Sequence, residues 1–219
     1  MKWQSTHTWR EQRAWNPVMI AVAVVCALVI AFVATKGEDM LAYAQGKRLL
    51  RELKAVENAL WEYKDKTRYW PGDCNRDGVL NYQPENRVEA KVQLSPAVVP
   101  KNESCQSEFA EEDQNTTYSD LRIARLWVYG APNNVAARHT AGGMIHVGSV
   151  EIASKKLNVI VAYNISTRLA RMIDVQLDGS EDGDAGRIRR WDEKATGTPW
   201  LSADDGEPTA LVFYFDQTP

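Results

Sequence analysis

The chain has 219 residues, of which 44% are hydrophobic and 25% charged, and its formal net charge is −3. With no basic stripe and no run of Lys and Arg, this balance argues against a nucleic-acid partner. Once the first 35 residues are set aside, roughly 180 remain, enough for one domain with its own core.

Residues 1–17 form a leader-like segment in which Lys2, Arg10 and Arg13 outweigh the single acid Glu11, and Trp3, Trp9 and Trp15 suit an interfacial aromatic belt. From Val18 to Ala34 every residue is apolar apart from Cys26, which is itself read as a small hydrophobe. With Thr35 the run reaches the lower end of the roughly 17–25 residues that span a bilayer. A cleaved secretory signal is one rival, but its apolar stretch is shorter, about 7–15 residues, and ends in small-x-small. Ala31-Phe32-Val33-Ala34 supplies no clean site of that kind. A buried soluble core helix is the other rival, and the length and basic flank favour it less. The reading is a single-pass anchor at 18–35 with the N-terminus cytoplasmic and residues 36–219 exported.

The exported part begins with helix 36–69. Leu49, Leu53, Val56, Leu60 and Tyr63 step by four, three, four and three, the spacing of one helical stripe, while Lys47, Arg48, Arg51, Lys54, Glu62 and Lys66 lie opposite. Pro71 stops the helix, because the residue before a proline is pushed out of the α region. Continuous from Val18 to about Arg68, such a helix is roughly 75 Å long at 1.5 Å per residue. Residues 71–118 read as a long loop with one short strand near Val98-Val99. Region 119–219 holds the sheet. A short helix capped by Ser119 or Asp120 carries Leu121, Ala124 and Trp127, and strands follow at Met144–Val147 and Leu157–Tyr163. Ser166 caps a second helix, Thr167–Leu177, with Leu169, Met172, Ile173 and Leu177 inward. Arg187–Trp191 and an alternating strand Leu211–Phe215 complete an α+β fold with a mainly antiparallel sheet.

Cys74 and Cys105 are the only cysteines of the exported part, where an oxidising compartment permits a bridge. Their disulfide closes a loop of about 30 residues and stabilises by on the order of 3–4 kcal/mol through chain entropy. Two free thiols are the competing reading. Asp73-Cys74-Asn75-Arg76-Asp77-Gly78 fits the first half of a calcium loop, with Asp73, Asn75 and Asp77 as oxygen donors, but position twelve is Pro84 rather than Glu. Asp178, Asp182 and Asp184 form a second acidic loop that also lacks a closing Glu. Each is read either as a structural Ca2+ site or as a solvated Asx turn. His7, His139 and His146 show no metal spacing and read as satisfied surface or core side chains. No nucleophile motif or P-loop is present, and the carboxylate pair Asp204-Asp205 lacks a catalytic context, so no enzymatic chemistry is expected. Trp61, Trp127, Trp191 and Trp200 read as core.

Two patches carry a family resemblance. Tyr63 and then Tyr69-Trp70-Pro71-Gly72-Asp73 resemble the tyrosine and Y-x-P-G-D that end the long helix of type IV pilins and type II secretion pseudopilins. Ala162-Tyr163-Asn164-Ile165, Ile173-Asp174-Val175-Gln176-Leu177-Asp178-Gly179 and Gly186-Arg187-Ile188 resemble their A-x-x-I-D-x-K-L-D-D-G … G-x-V stretch. The resemblance implies a long helix, half membrane-inserted and half packed on an antiparallel sheet, in a bacterial inner-membrane protein that assembles into a filament with other pilin-like subunits. The assembly helix is then lined by Val18, Val22, Val25, Val29 and Phe32. Prepilin peptidase becomes a partner, with Ala14 and Trp15 as the nearest processing site. Departures are plain: Met19 stands where the family carries Glu, Pro17 falls within the site, and the helix-breaking Pro after the apolar run is missing. In the family that Glu pairs with a neighbour's N-terminal amine, since a lone carboxylate in lipid is costly. Its loss implies a minor or tip subunit. A membrane-tethered binding module with calcium-ordered loops, sharing the anchor but never assembling, is the alternative. In a bacterial protein the sequons at Asn102, Asn115 and Asn164 carry no weight.

Overall fold

The computed structural model describes residues 17–88, 116–127, 137–192 and 197–217. Ala14, Trp15, Cys105, the Val98-Val99 strand and the leader tryptophans lie outside them. The chain divides into two compact units, Met1–Leu41 and Ala42–Pro219. Helix α1, Pro17–Thr67, runs through the boundary between them.

Within the second unit, the stripe Leu49, Leu53, Val56, Leu60 and Tyr63 is buried and joins the sheet residues in one hydrophobic core. Glu57, on the same face, is buried too and is held by Lys54 Nζ at 2.6 Å and Arg187 Nη2 at 2.9 Å. Arg68 ends the helix in a left-handed conformation, φ 75°, so the chain turns before Pro71 is reached.

Four strands form an antiparallel sheet in the order β1-β2-β4-β3. β1 (Ile145–Ile152) and β2 (Lys155–Ser166) are each longer than the sequence suggests. They are joined by Ala153 and Ser154, both left-handed at φ 49° and 65°, a two-residue reversal that the sequence hides because neither position is Gly, Asn or Asp. β3 is Ile188–Arg190 and β4 is Pro208–Tyr214. Burial does not alternate along β4: Thr209 through Tyr214, and Phe215 after them, are all buried, so both sheet faces are covered there. The alternation expected for Leu211–Phe215 is thereby corrected.

Helix α2, Thr116–Ile123, starts three residues before the expected cap, and Ser119 and Asp120 fall inside it. Helix α3, Thr167–Asp178, follows β2 directly. Ser166 accepts from Leu169 N at 3.3 Å as its N-cap, and Gly179, φ 80°, closes it with a bond to Val175 O. Trp70, Trp191 and Trp200 are buried, whereas Trp61 is 37% exposed and Trp127 half-buried, so neither of these two is a full core residue.

Candidate functional site

Three regions bear on function. The first is the front of α1. Val18, Met19, Ile20, Val22, Val24, Val25, Leu28, Val29, Ile30, Phe32 and Val33 are all exposed. At 100° per residue such a set covers every face of the helix, a pattern found where a helix is surrounded by lipid or by other helices. Among the described residues no helix is long and apolar enough to cross a membrane. Within the apolar run the described side chains end at Val33, about 25 Å along the axis, against a hydrocarbon layer of roughly 30 Å. Ala34 and Thr35, which complete the run in the sequence, lie outside the described side chains.

The second region is the turn after α1. Trp70 is 1% exposed, packing edge-on against Trp61 at 4.8 Å and Phe215 at 5.2 Å between centroids. Lys64 Nζ lies 3.8 Å from the Trp70 centroid. Gly72 N donates to Asp120 Oδ2 at 2.7 Å, which fastens α2 to the turn. Burial pushes the Asp120 carboxyl up to about 6, against the pull of that N–H. Asp73 is buried, and its two oxygens accept from Asp77 N at 3.1 Å and Gly78 N at 2.9 Å. Burial also raises its pKa, with those amides pulling the other way. Asn75 and Asp77 are exposed and bonded to each other at 2.9 Å, and Asp77 accepts from Val79 N at 2.8 Å. The first acidic loop is therefore closed by its own amides in an Asx-turn pattern. It packs on the sheet through Asn158, which accepts from Leu80 N at 2.9 Å and donates to Gly78 O and Asp216 Oδ2. Ser149 N donates to Tyr82 O at 2.8 Å and so covers the open edge of β1. A polar cavity of about 180 Å³ lies where Asp77, Asn81, Gln83 and Lys156 meet.

The third region is the loop after α3. Asp178 Oδ2 accepts from Arg187 N at 2.7 Å and Ile188 N at 2.8 Å, which joins the middle and last segments of the second sequence patch. Gly186 is left-handed, φ 71°, and a Cβ there would lie 2.3 Å from Asp178 Oδ2. Only glycine fits this approach. Asp174 is fully buried and accepts from Asp182 N, Gly183 N and Trp200 Nε1. Asp182 is half-buried and Asp184 exposed. Among the described residues, no three His, Cys, Asp or Glu side chains are grouped so as to hold a metal ion.

The structure thus gives Asp73 and Asp178 loop-closing duties, and Asp73, Asn75 and Asp77 are hydrogen-bonded to one another within the first acidic loop. Sequence reasoning misses Asp120 and Asp174, which the structure places at the centre of both loops. Asp174 carries a visible signal: it follows Ala170 and Ile173 and precedes Leu177, at the inward spacing of α3. Asp120 carries none, since its partner lies 48 residues away.

Cys74 is buried, and Cys26 is free and exposed. His139 and His146 are buried, which disfavours the charged form of each imidazole. Tyr82 Oη lies 3.0 Å from His146 Nδ1, and burial pushes that imidazole down to about 4. His139 is lowered by burial too, although its contact with Tyr163 O at 2.8 Å opposes the shift. Asp204 pairs with Arg190 and Asp205 with Arg171, so this acidic pair is spent on ion pairs. No family model, curated protein or solved structure matches the chain.

Proposed function

We propose that the chain is a non-enzymatic structural subunit of a type IV pilus-like or type II secretion pseudopilus-like filament, in a minor or tip position. The carrying observation is the all-round apolar exposure of α1 from Val18 to Val33, on a helix whose later stripe is sealed into a folded core. Leaving such side chains in water forgoes about 1.5–3 kcal/mol for each large one. Lipid recovers that before assembly, and like helices recover it afterwards. In this reading the anchor sits in a bacterial inner membrane, Val18, Val22, Val25, Val29 and Phe32 meet neighbouring subunits, and Cys74 is bridged to Cys105. Both motif patches lend support, since their residues meet in the turn after α1 and in the loop after α3. Met19 in place of an acid favours a position with no neighbour above it.

Cys26 is the free cysteine within the apolar stretch, which permits a direct test. A membrane-permeant bis-maleimide applied to cells is expected to give crosslinked species that contain pilin-like partners, lost in Cys26→Ser. A strictly monomeric product at normal expression would contradict assembly and point to a tethered binding module.

A further inference from the structure

The face of α1 opposite its buried stripe carries an ordered charge pattern. Arg48, Arg51, Ala55, Asn58, Glu62 and Asp65 follow one another at alternating steps of three and four, and all six are exposed. That spacing makes them one seam along the helix. Two cations come first, two uncharged residues follow, and two acids close it. Glu62 stands 14 positions after Arg48, and Asp65 stands 14 after Arg51. The neighbouring lysines are committed elsewhere: Lys47 Nζ lies over the Tyr43 ring, and Lys54 holds Glu57. Arg48, Arg51 and Asp65 have no ion-pair partner among the described residues. Glu62 pairs with Lys66 at 2.7 Å, but both side chains are more than half exposed, where such a pair contributes little.

We propose that this seam docks a second copy of the chain, parallel and displaced along the helix axis by 14 residues, about 21 Å at 1.5 Å per residue. This rests on the filament reading, in which both apolar helices leave one membrane in the same direction. In that register Arg48 meets Glu62 of the neighbour and Arg51 meets its Asp65. Ala44, one step earlier on the seam and also exposed, comes beside the neighbour's Asn58, and its small side chain lets the helices approach. Without the displacement each cation would face its own twin and each acid likewise, and like charges in contact repel. An antiparallel pair centred between Val56 and Glu57 would match the charges equally, Arg48 with Asp65 and Arg51 with Glu62. It would send the apolar halves in opposite directions, which one membrane forbids. Exposed pairs of this kind set register more than affinity, and the apolar run supplies the affinity.

Engineered disulfides between two differently tagged full-length chains, co-expressed in cells and both carrying Cys26→Ser, read the register. Ala44→Cys in one copy and Asn58→Cys in the other should give a mixed dimer on oxidation, since both positions lie in the seam and leave its charges intact. Adding Arg48→Glu and Arg51→Glu to the copy with Ala44→Cys should lower the yield about fivefold or more. Adding Glu62→Lys and Asp65→Lys to the other copy should then restore it. All these positions are exposed, so the fold is expected to tolerate the changes. A yield that ignores the reversal, or that the second reversal fails to restore, would overturn the seam. So would a mixed dimer from Ala55→Cys with Asn58→Cys, the pair that an antiparallel contact brings together. No dimer from Ala44→Cys with Asn58→Cys, while Cys26 of the unaltered chain still crosslinks to pilin-like partners, overturns the seam and leaves the filament reading standing. Loss of both removes the filament reading with it.

Discussion

The carboxylate of Asp120 accepts a 2.7 Å hydrogen bond from the backbone N–H of Gly72, 48 residues earlier in the chain. This bond ties the turn after the long helix to α2. Gly72 is left-handed, φ 79°, and a Cβ there would lie 2.4 Å from Thr117 Oγ1 and 3.1 Å from its backbone nitrogen. Gly72→Ala is therefore expected to cost about 3 kcal/mol, from backbone strain and from the displaced helix. Asp120→Ala should cost about 1–3 kcal/mol by leaving the Gly72 N–H unpaired. Asp120→Asn, which keeps an acceptor, should cost less. Urea unfolding of the three variants ranks them, and an Asn as damaging as the Ala would contradict the assignment.

Asp120 also sets a pH dependence. Burial places its folded value at about 6 against an ordinary 3.8, so folding takes up a proton. Stability from this group is complete below about 3.8 and lost as pH rises through about 6. His139 and His146 act in the opposite sense: with folded values lowered by burial, they stabilise above about 6.5 and their contribution is lost as pH falls below it. The wild-type curve blends these slopes, so the carboxyl is read as a difference. Between about pH 4 and 6.5, the melting temperature of the wild type should decline relative to that of Asp120→Asn. Parallel curves would show that Asp120 titrates alike in both states.

The β1–β2 reversal offers a gain. Ala153 and Ser154 both have positive φ, a conformation that Asn and Gly adopt more readily. The double substitution Ala153→Asn, Ser154→Gly is expected to raise stability by about 0.5–1 kcal/mol without altering the sheet register. A loss of stability would mean that the two side chains contribute contacts outweighing the strain.

Much of the α+β architecture is legible in local pattern, and the failures share a physical origin. The stripe from Leu49 to Tyr63 and the Ser166 cap are set by residues three or four apart, so periodicity and capping chemistry expose them. The Ala153-Ser154 turn escapes because the sheet imposes it on residues that do not favour it. The start of α2 is misplaced because Asp120 looks like a cap when its carboxylate answers Gly72 instead. The acidic loops read as alternating oxygen donors. Of their carboxylates, Asp73 and Asp178 accept from backbone amides four to ten residues away, bonds that the spacing does not announce and that either reading of the loops accommodates. Spacing alone carries no information about which donor arrives first.

The link between Asp178 and residues 186–188 yields another test. Asp178→Ala frees the Arg187 and Ile188 amides at once, and Gly186→Ala places a Cβ against the carboxylate. Each is expected to cost about 2–3 kcal/mol, and the double variant less than the sum, because both break one contact. Strict additivity in a double-mutant cycle would show that the two residues act separately.

The central claim concerns where the protein ends up. Mass spectrometry of fibres sheared from cells, set against the membranes left behind, tests it most directly. A minor filament subunit predicts the chain in the sheared fibres at a small fraction of the main subunit, with the apolar stretch from Val18 onward intact. Complete retention in the membrane with Met1 or Lys2 still present would contradict assembly.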